Sequence, residues 1–215
     1  MKSVFETVKE IKQSFRLMMD GAVAQSMRDK GLNYRLNWGA TLPRLQAKAQ
    51  EIKAMFNVSS LMFNVYELSI ALWKENVREC KILATMLMPA DEILPEVVDI
   101  WQEQIPSQEI AEQLAFNLYQ HLPFAAEKAY QWIASDKEYD QLCGFHVLSR
   151  LFMNGQEPNE RGINEYLDQA LCALQGPYPS VRKAALQSLQ RFAELGILYE
   201  RLAKSATKSI DLDIF

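Results

Sequence analysis

Basic side chains and tryptophans are the residues of this chain whose types could carry function, because no catalytic constellation is recognisable. The sequence contains no Gly-rich phosphate loop, nucleophile elbow or zinc signature. The two histidines, His121 and His146, have no Cys or carboxylate at a spacing typical of a metal site. We therefore expect packed or surface histidines, no metal and no cofactor. Eight basic residues could instead contact the phosphates of DNA, namely Arg35, Arg44, Lys74, Arg78, Lys81, Arg182, Lys183 and Arg191.

The charge along the chain is unevenly distributed. The overall net charge of −4 argues mildly against non-specific binding to nucleic acid. Residues 1–81 carry a net charge of +5, residues 82–180 carry −11 and residues 181–215 carry +2. In a linear array of repeats, the two basic ends could hold DNA phosphates on either side of an acidic centre. The alternative is that most of these charges lie on solvated outer faces.

Four tryptophans fall near predicted helix ends or on apolar faces. Trp73, Trp101 and Trp132 come late in the first helices of successive predicted helix pairs. This recurrence favours a packing position between pairs, and a platform for base stacking is the alternative. Trp38 lies outside the repeats, beside Gly39, and we expect it to have a local role.

The elements that would position these side chains are helix pairs. Four second helices begin at intervals of roughly 30 to 42 residues, the period of HEAT-type arrays. Such an array buries apolar faces between neighbours and exposes its second helices along one concave surface. We predict N-terminal helices over 3–18, 20–30 and 41–55, followed by the pairs 59–73 with 75–88, 92–104 with 107–121, 123–134 with 137–153, and 160–175 with 179–194. No strand pattern of useful length occurs, so the predicted fold is all-α.

Length and composition predict a single domain. We expect one HEAT-like repeat domain over 1–215, with N-terminal helices in 1–56, four helix pairs in 59–194, and a C-terminal helix and tail in 197–215. No apolar run approaches the ~20 residues that span a bilayer, and the N-terminus does not resemble a signal peptide. We expect a cytoplasmic protein with no membrane partner. Three isolated cysteines predict buried, reduced thiols, which fits that compartment: Cys80, Cys143 and Cys172.

Several short motifs, in this order and spacing, resemble the AlkD-like DNA alkylation repair family. They are Asn37-Trp38-Gly39-Ala40-Thr41-Leu42-Pro43-Arg44, Leu72-Trp73-Lys74 with Val77-Arg78-Glu79 and Lys81-Ile82-Leu83-Ala84, and Leu122-Pro123-Phe124-Ala125 leading to Trp132-Ile133. The resemblance runs from about Arg16 to Leu195. It implies a right-handed α-α superhelix of HEAT/ARM-like repeats. It also implies DNA binding and removal of cationic N3- and N7-alkylated purines, because characterised members are monofunctional DNA glycosylases.

The resemblance also implies a site on the second helices. A carboxylate stabilises the sugar as it becomes oxocarbenium-like, and aromatic and basic groups hold the nucleotide. In the family an aromatic residue precedes a catalytic Asp by four positions, and an Arg and a second Trp follow on the next two second helices. In this chain Glu112 stands at the Asp position and Gln108 at the first aromatic. Leu142 stands at the Arg position, with a shift within 139–145 left open, and Gln187 at the second Trp.

These replacements leave two hypotheses. The first is a DNA-binding repair protein with weak or altered alkylpurine glycosylase activity, in which Glu112 stabilises the developing positive charge. The second is a catalytically inactive HEAT-repeat scaffold that binds a DNA structure or a protein partner. Glu112 could instead be a solvated carboxylate favoured by the helix dipole. Arg78 and Arg182 could instead pack between repeats, as arginines at this position do in HEAT arrays.

Overall fold

A computed structural model describes residues 3–32, 34–58, 63–208 and 210. These residues form twelve α-helices, a single 3-10 turn at Tyr119–His121 and no strand, which confirms the predicted all-α fold. The helices are α1 (Val4–Leu17), α2 (Gly21–Asp29), α3 (Leu42–Val58), α4 (Val65–Lys74), α5 (Arg78–Leu87), α6 (Pro95–Glu103), α7 (Gln108–Asn117), α8 (Ala125–Ile133), α9 (Glu138–Met153), α10 (Glu160–Leu174), α11 (Pro179–Ala193) and α12 (Ile197–Lys208). In the described part of the chain, no helix combines the length and apolarity needed to cross a membrane.

The chain divides into two compact units at residue 100, within α6. In the first unit α5 packs against α3 and α4, and α1 packs against α4. In the second unit α9 lies between α7 and α11 and also packs against α8. The prediction of a single domain over 1–215 stays a prediction, since each unit has a core of its own.

Capping explains where two of the helices begin. Ser3 and Glu6 form a reciprocal capping box at the start of α1. Asn64 and Glu67 form the same box at the start of α4, so that helix begins at Val65. The predicted start of this helix, Ser59 or Ser60, lies outside the described part of the chain.

The first unit is organised around a buried ion pair at the start of α5. The Arg78 guanidinium and the Glu79 carboxylate lie 3.5 Å apart and are 1% and 0% exposed. Glu79 Oε1 accepts hydrogen bonds from the backbone N–H groups of Trp38, at 3.0 Å, and Ala40, at 3.3 Å. Arg78 Nη1 donates to the Ala40 carbonyl at 2.8 Å. The pair therefore fixes the segment 37–40 against α5, which accounts structurally for two of the motifs quoted above.

Gly39 lies at the point of closest approach in this segment. Its φ of +74° belongs to the left-handed region, and a Cβ there would lie 2.3 Å from the Asp20 carbonyl oxygen and 2.8 Å from the Ala24 nitrogen. The Asp20 N–H also donates to the Trp38 carbonyl at 2.9 Å, which joins this segment to α2. Only glycine satisfies both the backbone conformation and the space.

We expect Gly39→Ala to lower the free energy of unfolding by about 2 kcal/mol, because strain in φ and a backbone clash both act. Gly31→Ala is the matched control. Gly31 has a φ of +85° but nothing within 4 Å of its Cβ position, so it reports the conformational strain alone. Its expected cost is about 1 kcal/mol. Urea denaturation of both variants measures the difference, and equal losses would show that the clash at Gly39 is relieved by movement.

The predictions for tryptophans and cysteines have mixed outcomes. Trp73, Trp101 and Trp132 are buried, at 2%, 2% and 6% exposed, which confirms the packing interpretation. Cys80 and Cys143 are buried free thiols, and burial raises the pKa of Cys80 to about 12. The prediction of a buried Cys172 is wrong. This thiol is exposed, because it lies on the outer side of α10 from the buried Ala170 and Ala173.

Candidate nucleic-acid interface

The second helices of the C-terminal unit present one set of exposed and half-buried side chains. Helix α9 packs against α7 on one side and α11 on the other, so the three helices lie next to one another. Most of their buried positions are apolar and form the core of this unit, for example Leu114 on α7, Phe145 on α9 and Leu189 on α11. The side chains that remain accessible on these helices are the candidates for ligand contact.

The predicted catalytic position lies in the first two turns of α7. Ser107 caps this helix by accepting from the Ile110 N–H at 3.4 Å. Gln108 is exposed, and Glu112, one turn later, is half-buried. Gln108 Nε2 donates to Glu112 Oε1 at 2.8 Å, and no ion pair to this carboxylate occurs among the described residues. The carboxylate is therefore held by a neutral amide on its own helix.

A cavity of about 260 Å³ opens one turn further along the same helices. The Arg150 guanidinium lies 4.8 Å above the Phe116 ring, and the His146 ring meets Phe116 edge-on at 4.9 Å. The cavity is lined by Phe116, His146, Ser149, Arg150, Met153, Gln187, Gln190 and Arg191. We call this feature the α7–α9–α11 cavity. It combines an aromatic ring, two guanidinium groups and side-chain amides.

His146 is neutral at physiological pH in this cavity. Burial, and secondarily the positive charges of Arg150 and Lys183, lower the pKa of the imidazole to about 4. The cationic groups of the cavity are therefore Arg150 and Arg191. Of these, Arg191 already pairs with Glu194 at 2.5 Å, so Arg150 is the cavity's cation without a carboxylate partner in the described residues.

Phe116 and Arg150 were not among the residues predicted from the sequence. Phe116 follows Glu112 by four residues, so a helical reading extended by one turn would have placed it on the same side of α7. Arg150 had no comparable signal, because its part in the cavity depends on how α9 is rotated against α7.

The eight basic residues predicted to contact DNA fall into three groups. Arg78 is 1% exposed and tied to Glu79 and Ala40, so the prediction that it contacts DNA is wrong. Its guanidinium instead makes contacts within the first unit.

The second group is Lys81 and Arg182, which are half-buried and hydrogen-bonded to backbone carbonyls. Lys81 Nζ donates to the Trp73 carbonyl at 2.9 Å, and Arg182 Nη1 donates to the Gly176 carbonyl at 2.6 Å. Burial also lowers the pKa of Lys81, whose ammonium lies 4.2 Å from the centre of the Trp73 ring.

The remaining five basic residues are exposed, and DNA contact stays a prediction for them: Arg35, Arg44, Lys74, Lys183 and Arg191. Arg44 donates to the Met18 carbonyl at 3.1 Å, which holds its guanidinium near the end of α1. The other histidine, His121, is exposed in the 3-10 turn after α7.

Comparison with known proteins identifies the family. The family model described as "DNA alkylation repair enzyme" matches residues 11–194. The chain belongs to this family. No curated protein matches it closely enough to report.

Among solved structures, the chain resembles a protein described as belonging to "a new family of proteins related to the HEAT-like repeat DNA glycosylases with affinity for branched DNA structures". The two share 16% sequence identity with a TM-score of 0.77, over 93% of this chain and 81% of the other. This similarity confirms the predicted HEAT-like fold class.

The site pattern of this DNA alkylation repair family member departs from the one that the resemblance implied. Leu142 is 1% exposed, so the prediction that it occupies a position lining a groove is wrong. It belongs to the core beside Cys143, whose Sγ contacts the Ala111 carbonyl at 3.4 Å. Gln187 is exposed and lines the α7–α9–α11 cavity, and its assignment to the position of the second Trp stays a prediction. The predicted positions 108 and 187 are therefore accessible and carry amides.

Proposed function

We propose that this protein binds DNA and recognises its structure without excising alkylpurines. One observation carries the proposal: Gln108, not an aromatic residue, lies one turn before Glu112 and donates a hydrogen bond to its carboxylate at 2.8 Å. The amide occupies one carboxylate oxygen and offers no aromatic face to a deoxyribose or a cationic base.

The chemistry of base release explains why this replacement matters. An alkylated purine already carries positive charge, so excision depends on holding the sugar where a carboxylate can stabilise the oxocarbenium-like transition state. A misplacement of about 1 Å can cost roughly a hundredfold in rate. The aromatic ring on α7 is Phe116, one turn beyond Glu112, and the Arg150 guanidinium already lies over it. Neither residue 108 nor residue 116 therefore provides an uncovered aromatic ring beside the Glu112 carboxylate.

DNA binding is supported by family membership and by accessible cations. Lys183 and Arg191 are exposed on α11, and Arg150 is half-buried on α9. The solved structure with the same fold is described as having affinity for branched DNA structures, and we extend that preference to this chain as part of the proposal. Branched DNA exposes unpaired base edges and closely spaced phosphates, which suit a cavity that combines arginines and side-chain amides.

A weak glycosylase that uses Glu112 is the second candidate. Its support is the half-buried position of the Glu112 carboxylate on α7, with a second oxygen that Gln108 does not occupy. The remaining alternative predicted from the sequence is a scaffold that binds a protein partner. A DNA-binding measurement distinguishes it from the two hypotheses in which the protein acts on DNA.

One set of variants tests the proposal: wild type, Glu112→Gln, Arg150→Gln and the control Arg161→Gln, an exposed arginine on α10 outside the cavity. We expect wild type and Glu112→Gln to release no N7-methylguanine or N3-methyladenine above background from alkylated duplex DNA. We expect a four-way junction to bind more tightly than a blunt duplex of the same length. Arg150→Gln should weaken junction binding and reduce the slope of log affinity against log salt by about 1, as loss of one phosphate contact does.

The outcomes separate the candidates. Base release by wild type that Glu112→Gln abolishes would establish the weak glycosylase instead. Equal affinity for junction and duplex would remove the structural preference. Equal behaviour of Arg150→Gln and Arg161→Gln would place the DNA elsewhere than the α7–α9–α11 cavity. No DNA binding at low salt would leave a protein or peptide partner.

A further inference from the structure

A second cavity, of about 270 Å³, lies in the N-terminal unit between α1 and the segment that follows α2. We call it the N-terminal cleft. It is lined by Phe5, Val8, Lys9, Lys12, Gln13 and Arg16 on α1, with Trp38 and Glu75. Neither the sequence motifs nor the function proposed above uses any of its α1 residues.

The cations of this cleft all come from α1. Lys9, Lys12 and Arg16 follow helical spacing, three and then four residues apart, so they lie along one side of the helix. Lys12 Nζ pairs with Glu75 Oε2 at 2.7 Å, and the Glu75 carboxylate neutralises the charge of Lys12. Lys9 and Arg16 are exposed, and no hydrogen bond or ion pair of either side chain occurs within the described residues. The cleft therefore retains a net positive charge of two.

The apolar part of the cleft is aromatic and accessible. The Phe5 side chain is 77% exposed, unusual for a large aromatic residue one helical turn from the buried Val8. Trp38 is half-buried, whereas the three other tryptophans are buried. Its backbone is held at both ends, since its N–H donates to Glu79 and its carbonyl accepts from the Asp20 N–H. The indole is thus presented from a fixed segment.

We propose that the N-terminal cleft binds a nucleotide of a single-stranded DNA segment, with the base against Phe5 and Trp38 and the flanking phosphates near Lys9 and Arg16. This inference rests on the proposed function and names the part of a branched substrate that this unit would hold. Proteins that bind single strands combine stacking faces with basic side chains that follow the backbone, and both are present here.

Trp38 supplies a direct readout. Because the other tryptophans are buried, a base stacked in the cleft should quench the fluorescence of Trp38 preferentially. Titration of the full chain with a short oligodeoxythymidylate should therefore quench tryptophan emission in the wild type, and Trp38→Phe should abolish the change. We expect Phe5→Ser to weaken this binding about tenfold, the loss that corresponds to stacking of one base.

A matched pair of double variants tests how much the cations of the cleft contribute to binding. Lys9→Gln with Arg16→Gln removes the two unpaired cations of the cleft. The control, Lys30→Gln with Lys53→Gln, removes two exposed lysines of the same unit outside the cleft. The cleft variant should weaken oligodeoxythymidylate binding about tenfold or more and reduce the salt slope by roughly 1.4, the value for two phosphate contacts to a single strand. The control should bind as the wild type does.

A third DNA separates failure of this inference from failure of the proposed function. A forked duplex with single-stranded arms should lose affinity for the cleft variant, while a fully paired four-way junction should not. If the junction binds but the fork and oligodeoxythymidylate show no dependence on the cleft variants, the inference is overturned and the proposed function stands. Equal losses on fully paired DNA would also overturn it, because the cations would then be general phosphate contacts. If no DNA binds at low salt, both the proposed function and this inference are overturned.

Discussion

Glu79→Gln should lower the free energy of unfolding by about 3–5 kcal/mol, the cost of breaking a buried ion pair. Glu79 is 0% exposed, and its Oε1 accepts from two backbone N–H groups of the 37–40 segment and lies 3.5 Å from Arg78 Nη1. Glutamine keeps the shape of the side chain and one acceptor oxygen. It removes the negative charge of Glu79 from beside the Arg78 guanidinium, which is 1% exposed, and so removes electrostatic stabilisation of a buried charge. Urea denaturation should give a lower midpoint with an unchanged m-value.

Glu75→Gln is the matched control in the same unit. Its ion pair with Lys12 has a 2.7 Å contact, shorter than that of Arg78 and Glu79, but the two side chains remain 34% and 31% exposed. Solvent screens such a pair, so we expect a loss of less than about 1 kcal/mol. Burial, and not the distance between charged atoms, should therefore decide the ranking. Similar losses in the two variants would show that water or relaxation neutralises Arg78 when Glu79 is replaced.

The helix pairs were predictable from the sequence because local signals mark their ends. Pro179 begins α11 and Gly155 follows α9, each at a predicted boundary. The end of α7 was not predictable in this way. The sequence pattern continues to residue 121, but the structure turns into a 3-10 segment after Asn117. Tyr119 is buried there with its ring centre 4.8 Å from that of Trp132, so a tertiary contact overrides the helical pattern.

The site was less predictable than the fold, for a geometric reason. Each residue along a helix rotates by about 100°, so an assignment shifted by one or two positions exchanges an exposed side chain for a buried one. Leu142 faces the core, and Arg150, eight residues later, reaches the α7–α9–α11 cavity. Arg78 was misassigned for a different reason. Its type and motif allowed either packing or DNA contact, and only the burial of Glu79 beside it decides for packing.

The two cavities lie in different units, and each suits a different kind of DNA contact. The α7–α9–α11 cavity offers arginine, amides and a ring already covered by Arg150, which suits polar recognition of phosphates and base edges. The N-terminal cleft offers accessible rings and two unpaired cations, which suits stacking. Because the residues belong to separate units, the variants proposed for each cavity can be prepared and measured separately.

His146 should make the stability of the C-terminal unit depend on pH between about 4 and 6.5. The pKa of this buried imidazole is lowered to about 4 from its ordinary 6.5, first by burial and then by the charges of Arg150 and Lys183. Between these values the unfolded chain binds a proton that the folded chain does not, so the free energy of unfolding falls as pH falls. The contribution is fully present above pH 6.5 and is lost as pH approaches 4. The difference in pKa corresponds to about 3 kcal/mol.

His146→Phe isolates this contribution from the carboxylates that titrate in the same range. Phenylalanine keeps an aromatic ring against Phe116, whose centre lies 4.9 Å from that of His146, and removes the titrating group. We expect the wild type to lose about 2–3 kcal/mol more than the variant between pH 7 and pH 4.5 in urea denaturation, because most of the linked proton uptake occurs above that pH. Stability curves that run parallel over this range would mean that the pKa of the imidazole is nearly the same in the folded and unfolded chains, so that it gains its proton in the folded state as pH falls. The cavity would then contain a third cation facing Arg150, and its preference for phosphate would strengthen as pH falls.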